Sequence, residues 1–175
     1  MSDITLRAEL IERGFGTAEI ARLVRAGELT RLRRGAYVDP LSPDAAPAAA
    51  HCALVIATMR QVSGEAVVSH GSAAVMHGLP TWSDQLARVH VTRDRAGGGK
   101  IKHNIHQHGL PLEDCDVVTV DGTRVTSLTR TILDLSCSEP LEHSVAAGDA
   151  ALRLGLRQSE VLTLVEAAAG RHGVG

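Results

Sequence analysis

The sequence predicts an α+β protein of two domains, a winged helix-turn-helix over residues 1–40 and a mixed α/β domain over 41–175. Three observations carry this. The first forty residues change period, from helical spacing of apolar residues to the alternation of "LTRLRRGAYV". A stretch rich in Pro, Asp and Ser, "DPLSPDAAP" at 39–47, then breaks the pattern, as a linker does. Beyond it strand-like segments sit in the middle, flanked by helical ones.

In "ITLRAELIER", residues 4 to 13, Ile4, Leu6, Leu10 and Ile11 fall roughly on one helical face, and Gly14 supplies a stop. Thr17 is the expected N-cap of "AEIARLVRAG", where Ile20, Leu23 and Val24 share a face and Glu19, Arg22 and Arg25 look away. Gly27 ends that helix. "LTRL" and "AYV" then read as two strands joined through "RRG", with Gly35 free to take positive φ.

The second part begins with a helix, "AAAHCALVIATMRQVSG", carrying Cys52, Val55, Ile56 and Met59 on one side. "AVVSH" reads as a strand, "GSAAVMHGLP" as a helix, "ARVHVTR" as a strand and "IKHNIHQH" as another, reached through the flexible "DRAGGGK". "DVVTVDGTRVTS" predicts a hairpin with Asp121-Gly122 in a type I′ turn. Three helices close the chain: one capped by Ser127, one with Pro140 in its first turn, and "SEVLTLVEAAAG".

Composition narrows the function classes. The 175 residues are 44% hydrophobic, enough for a sizeable core, but only 2% aromatic, so that core is built from Ala, Val, Leu and Ile. Cys52, Cys115 and Cys137 are an odd number without metal or redox spacing, which argues for a reducing compartment. The start "MSDITLRAELIERG" lacks the pattern of a signal peptide, and "HCALVIATM" is too short to span a bilayer, so a cytoplasmic protein without membrane contact is expected.

The net charge of −2 rules out a whole-molecule attraction to nucleic acid, so a basic site has to be local. Between Arg22 and Arg34 there are five Arg against only Glu28, a net +4. A helix showing Arg22 and Arg25, followed by a hairpin carrying Arg31, Arg33 and Arg34, suits a DNA groove and its flanking phosphates. Arginine offers forked donors for guanine edges or phosphate oxygens. Thr17, Arg22 and Arg25 are the candidates for base contact, and Tyr37 either packs on the helices or touches a phosphate. The plain alternative is a solvated basic face.

The segment "ITLRAELIERGFGTAEIARLVRAGELTRLRRGAYV" resembles the N-terminal winged helix of the AbiEi-type antitoxin and transcriptional regulator family, in its actinobacterial form. "VVSHGSAAVMHGLP", "RVHVTR", "VDGTRVTSLTRTILDLS" and "GDAALRLGL" resemble that family's second domain in the same order. The resemblance implies a type IV antitoxin without catalytic activity. Its winged helix would repress its own operon, and its second domain would counter a nucleotidyltransferase-like toxin without a stable complex. It also implies that Arg22, Arg25, Arg31, Arg33 and Arg34 contact double-stranded DNA at the promoter, where two copies pairing on an inverted repeat are the default.

Many similar chains continue into a nuclease-like domain, and this one stops at "GRHGVG". The expectation is therefore a short member or a fragment of a longer nuclease-like protein. A protein-contact module with a vestigial winged helix is the other alternative.

Other constellations give weaker signals. In "HNIHQH" read as one strand, His106 and His108 share a face and His103 opposes them, too few for a zinc site, so no metal is expected. "SHGSAAVMHG" has no nucleophile elbow, and Ser69 or Ser72 is expected to cap its helix. "AGGGK" lacks the Ser or Thr and the helix of a phosphate loop. No cofactor is expected. Cys52 and Cys137, on apolar helix faces, are expected in the core, and Trp82 is expected to seal a core edge.

Overall fold

The structure, a computed structural model, describes residues 3–40, 42, 44–62, 64–95 and 97–168. It is α+β, with seven α-helices and two sheets among the described residues, in two compact units, Met1–Ser63 and Gly64–Gly175. Among the described residues, no helix is long and apolar enough to cross a membrane.

The first unit runs β1 (Ile4–Leu6), α1 (Arg7–Glu12), α2 (Thr17–Arg25), β2 (Thr30–Arg33), β3 (Ala36–Val38) and α3 (Pro47–Met59). The three strands form an antiparallel sheet in the order β1-β3-β2. Both faces are covered. Ile4, Ala36 and Val38 pack on Ala57 of α3, with Leu6, Leu32, Ala53 and Ile56 around them. Tyr37 points the other way, onto Leu10 and Ile20, with Phe15, Val24 and Leu29 alongside. Alternation along β3 thus serves two small cores with one strand.

This packing moves the boundary expected after residue 40. With the sheet's second face needing cover, α3 belongs to the first compact unit, which extends to residue 63. The chain also enters as a strand: Ile4, Thr5 and Leu6 pair with Val38, Tyr37 and Ala36 before α1 begins. Helical spacing in "ITLRAELIER" is real only from Arg7 on, because pairing with β3 stabilises the β-branched start as a strand.

Polar groups fix the connections. The Leu6 N–H donates to Glu9 Oε2 at 2.7 Å, and the Arg60 guanidinium pairs with Glu9 and donates to the Ile4 carbonyl. At the β2–β3 turn Gly35 has φ +78°; its carbonyl accepts from the Arg7 N–H at 2.9 Å, and the Arg34 carbonyl accepts from Gln61 Nε2 at 3.1 Å.

The second unit holds β4 (Val67–Val68), α4 (His70–Met76), β5 (Val89–Arg93), β6 (Lys100–Lys102), β7 (Ile105–Gly109), β8 (Val117–Val120), β9 (Thr123–Thr126), α5 (Leu128–Ser138), α6 (Leu141–Arg153) and α7 (Gln158–Ala168). Its mixed sheet has the order β6-β7-β5-β4-β9-β8, with β5/β7 and β4/β9 parallel and the other pairs antiparallel. Helices α4 and α5 pack against β5 and β9, and α6 and α7 pack on α5. The helical core consists of Ala74, Leu79, Ile132, Leu135, Ala147, Ala151 and Leu156.

The Asp121-Gly122 turn has both residues at positive φ, +47° and +73°, as the sequence predicts for type I′. Ser127 caps α5, its hydroxyl accepting from the Arg130 N–H at 3.3 Å. "IKHNIHQH" is two strands rather than one: His103 and Asn104, at φ +51° and +62°, turn the chain between β6 and β7. The expected cap at Ser69 has the position but makes no side-chain cap bond; Ser72 Oγ instead accepts from the His90 N–H at 2.9 Å. Trp82 stacks on His143 with centroids 3.9 Å apart.

Candidate nucleic-acid interface and a buried histidine cluster

Helix α2 is amphipathic. Ile20 is buried in the core while Thr17, Ala18, Glu19, Ala21, Arg22 and Arg25 stay exposed. Arg22 Nη1 lies 3.8 Å from Glu28 Oε1, both more than half exposed, a geometry worth at most about 1 kcal/mol. Arg25 Nε donates to the Ala21 carbonyl at 3.3 Å, which lays its side chain along the helix. Thr17 is the first residue of α2, not its cap. Gly16 holds the cap position, and the Thr17 hydroxyl accepts from Arg7 Nη2 at 2.7 Å.

On the hairpin, Arg31 and Arg34 are exposed and Arg33 is half-buried. The register shifts between Arg31, which faces Tyr37, and Arg33, which faces Ala36, so the bulge turns successive arginines off a strict alternation. Burial pulls the Arg33 guanidinium below its ordinary value, though an arginine still keeps its charge at neutral pH. Tyr37 is 8% exposed and packs on Leu10 and Ile20. It therefore leaves the set of candidate phosphate contacts, because β3 is the central strand and its side chains fill the cores.

The second unit contains a polar network that crosses its core. Arg130 Nε donates to Asp134 Oδ1 at 2.9 Å, one turn along α5, and its Nη1 donates to Asp116 Oδ2 at 2.8 Å and to the Pro111 carbonyl at 2.9 Å. Burial opposes the guanidinium charge, but Asp134 and Asp116 outweigh it and hold the group above its usual value. The other carboxylate oxygen of Asp134 lies 3.7 Å from His70 Nδ1, which also meets Ser69 Oγ at 3.0 Å.

His70 opens α4 at φ +51°, a conformation that non-glycine residues rarely hold. Its ring stacks on His108 with centroids 3.7 Å apart and an interplanar angle of 11°, and lies 5.8 Å from His90. The parallel strands β5 and β7 set His90 opposite His106 and Thr92 opposite His108, so these four side chains share a face. His90 Nδ1 and His108 Nε2 are 3.1 Å apart, and the His106 ring centroid is 4.0 Å from that of His108. Thr92 Oγ1, on a fully buried residue, has no hydrogen-bond partner among the described residues.

Burial, then the neighbouring imidazoles, hold His70 well below the ordinary histidine range. The same causes bring His108 to about 3, and burial with nearby Arg88 lowers His106. These rings are neutral at pH 7. Reading "HNIHQH" as one strand hid the cluster, since its members come from α4, β5 and β7. The signal available was the alternate spacing in "HVT" and "HQH", which puts polar rings on one sheet face.

A cavity of about 530 Å³ lies elsewhere in this unit, between the start of α5 and α7. Four of its charged lining residues pair within the wall: Arg157 with Glu160 at 2.7 Å and Arg130 with Asp116 at 2.8 Å.

No protein-family profile matches the chain, and no curated protein sequence does. Among solved structures, the crystal structure of the RV2827C protein from Mycobacterium tuberculosis is similar in fold, with a TM-score of 0.58 at 14% sequence identity. The similarity covers 96% of this chain and 67% of that one. At that identity the likeness is one of α+β fold.

Proposed function

We propose that the first unit is a winged helix-turn-helix that binds duplex DNA, and that the chain is a repressor and antitoxin of the AbiEi type, without catalytic activity. The observation that carries the DNA half is the placement of exposed arginines. Arg22 and Arg25 lie on the solvent side of an amphipathic helix, and Arg31 and Arg34 on the hairpin that follows it. A strand, two helices and a hairpin that closes a three-stranded sheet is the layout in which α2 enters the major groove and the hairpin lies over phosphates. The antitoxin half rests on the resemblance of the second unit's segments, in order, to that family.

The test is a fluorescence-anisotropy titration against the chain's own upstream DNA and a scrambled duplex at two salt concentrations. Preferential binding that weakens with salt supports the repressor. Equal, weak binding to both duplexes, or unchanged affinity in a folded Arg22/Arg31/Arg34 triple-alanine variant, overturns it.

A second reading, contact with a protein partner such as the cognate toxin, is favoured by α6. Leu141 and Val145 are 75% and 54% exposed and share a helical face with exposed Leu152. A stoichiometric complex with a neighbouring gene product, abolished by Leu141→Asp, would favour it.

A further inference from the structure

The geometry points to a binding site for a divalent transition-metal ion of the zinc class, held by His70, His90 and His108 on the face of the six-stranded sheet. This stands apart from the DNA reading and concerns the second unit alone.

One ring nitrogen from each of the three histidines lies within 4.8 Å of the other two. His90 Nδ1 and His108 Nε2 are already 3.1 Å apart. A tetrahedral zinc with nitrogens at about 2.0–2.1 Å sets its ligands roughly 3.3 Å from one another, so this pair needs to open only slightly. The donors are three imidazoles with no thiolate among them. That set suits zinc, cobalt, nickel or copper and not the oxygen-seeking magnesium or calcium.

The surroundings match what a ligating histidine requires. One nitrogen of His70 is engaged by Ser69 Oγ and faces Asp134, which leaves Nε2 as its ligand atom. A carboxylate behind a ligating imidazole fixes its tautomer and raises its basicity. Asp134 is itself held by Arg130, so the orienting group is anchored. The left-handed backbone at His70 places the ring where a regular helix start would not. Thr92, opposite His108 on the same face, supplies a buried hydroxyl still able to bond a solvent oxygen on the ion. Three protein ligands leave a fourth position for that oxygen or for a substrate group.

Loading the site replaces the His90–His108 hydrogen bond with two bonds to the ion and turns the stacked His70 and His108 rings so that their lone pairs converge. His90 and His108 are half-buried, so the ion enters from the solvent side of the sheet.

The experiment uses the full chain, freed of any purification tag and stripped of metal, titrated with Zn(II) by calorimetry and with Co(II) by visible absorption. One ion per chain, with the intense absorption of tetrahedral Co(II), is expected. His90→Ala/His108→Ala should weaken binding by more than about 100-fold, beyond what an outer-shell change costs, and Ser69→Ala by about 10-fold. His106→Ala should bind within a few-fold of the parent. Circular dichroism checks folding, and if the double variant does not fold, His108→Gln takes its place. No stoichiometric binding by the parent, or parent-like affinity in the folded double variant or in His108→Gln, overturns the site. An equal loss in His106→Ala overturns the assignment of its three ligands.

Discussion

Arg130 and Asp134 meet at 2.9 Å with 2% and 3% of their side chains exposed, one turn apart on α5. Two charges so far from water hold each other in place, and Arg130 is tied to Asp116 at 2.8 Å as well. Replacing Arg130 alone by Met should cost about 3–5 kcal/mol in urea denaturation, because Asp134 is left charged and buried, and replacing Asp134 alone by Leu should cost less, because Arg130 keeps Asp116. The double replacement should recover much of that loss. A cost under about 1 kcal/mol for the Arg130 change would contradict the burial on which the network depends.

Tyr37 separates packing from recognition. Truncation to Ala removes a ring wedged against Leu10 and Ile20 and should cost about 3 kcal/mol or more. Tyr37→Phe keeps the ring and should leave DNA affinity unchanged. A large drop in affinity from the Phe variant, at unaltered thermal stability, would return the hydroxyl to the interface.

Salt dependence distinguishes the arginines from one another. Each phosphate contact removed should lower the slope of log K against log salt by about 0.9. Arg34→Ala, at the exposed hairpin turn, is expected to do so with equal effect on all duplexes. Arg22→Ala, on α2, should instead reduce the preference for the native upstream sequence. The measurement is anisotropy across a salt series, and identical behaviour of the two variants would collapse the distinction.

Glu9 predicts the acid behaviour of the first unit. The Leu6 N–H, and then Arg60, hold its carboxyl below the ordinary value of 4.5. A carboxylate with a lowered folded pKa contributes stability that is complete above its unfolded value and is lost as pH falls through the folded one. The melting temperature should therefore decline below about pH 4.5, and Glu9→Gln should flatten that decline. A parallel pair of curves would show that the carboxylate has no such role.

Gly122 tests the turn between β8 and β9. A Cβ there meets open space, so Gly122→Ala should lose only the conformational term for a left-handed residue, about 1–2 kcal/mol, read by thermal denaturation.

Local chemistry made part of this fold legible. Asp121-Gly122 announced its turn, and Ser127 its helix, because each signal is complete within a few residues. The features missed depend on partners far along the chain. Ile4–Leu6 looks helical until β3 arrives to pair with it, and α3 looks like the start of a new domain until the sheet's second face needs cover. His103-Asn104 gave no glycine to mark its turn. The arginines could be listed from sequence, but only the register shift shows which of them is half-buried. The spacing in "HVT" and "HQH" shows which side chains share a face within each strand, but only the parallel pairing of β5 and β7 brings the two sets of histidines together.

With the order β1-β3-β2, strand β2 lies at the border of its sheet, offering unpaired backbone groups to any other chain. Arg31, Arg33 and the following Arg34 put three like charges along that border, so two molecules that met there would repel before they could zip together. The residues proposed to grip DNA would then also keep the free protein dispersed. Stripping them to alanine would remove a guard against aggregation along with a binding surface, and glutamine, which keeps the border polar, is the cleaner replacement for solution work.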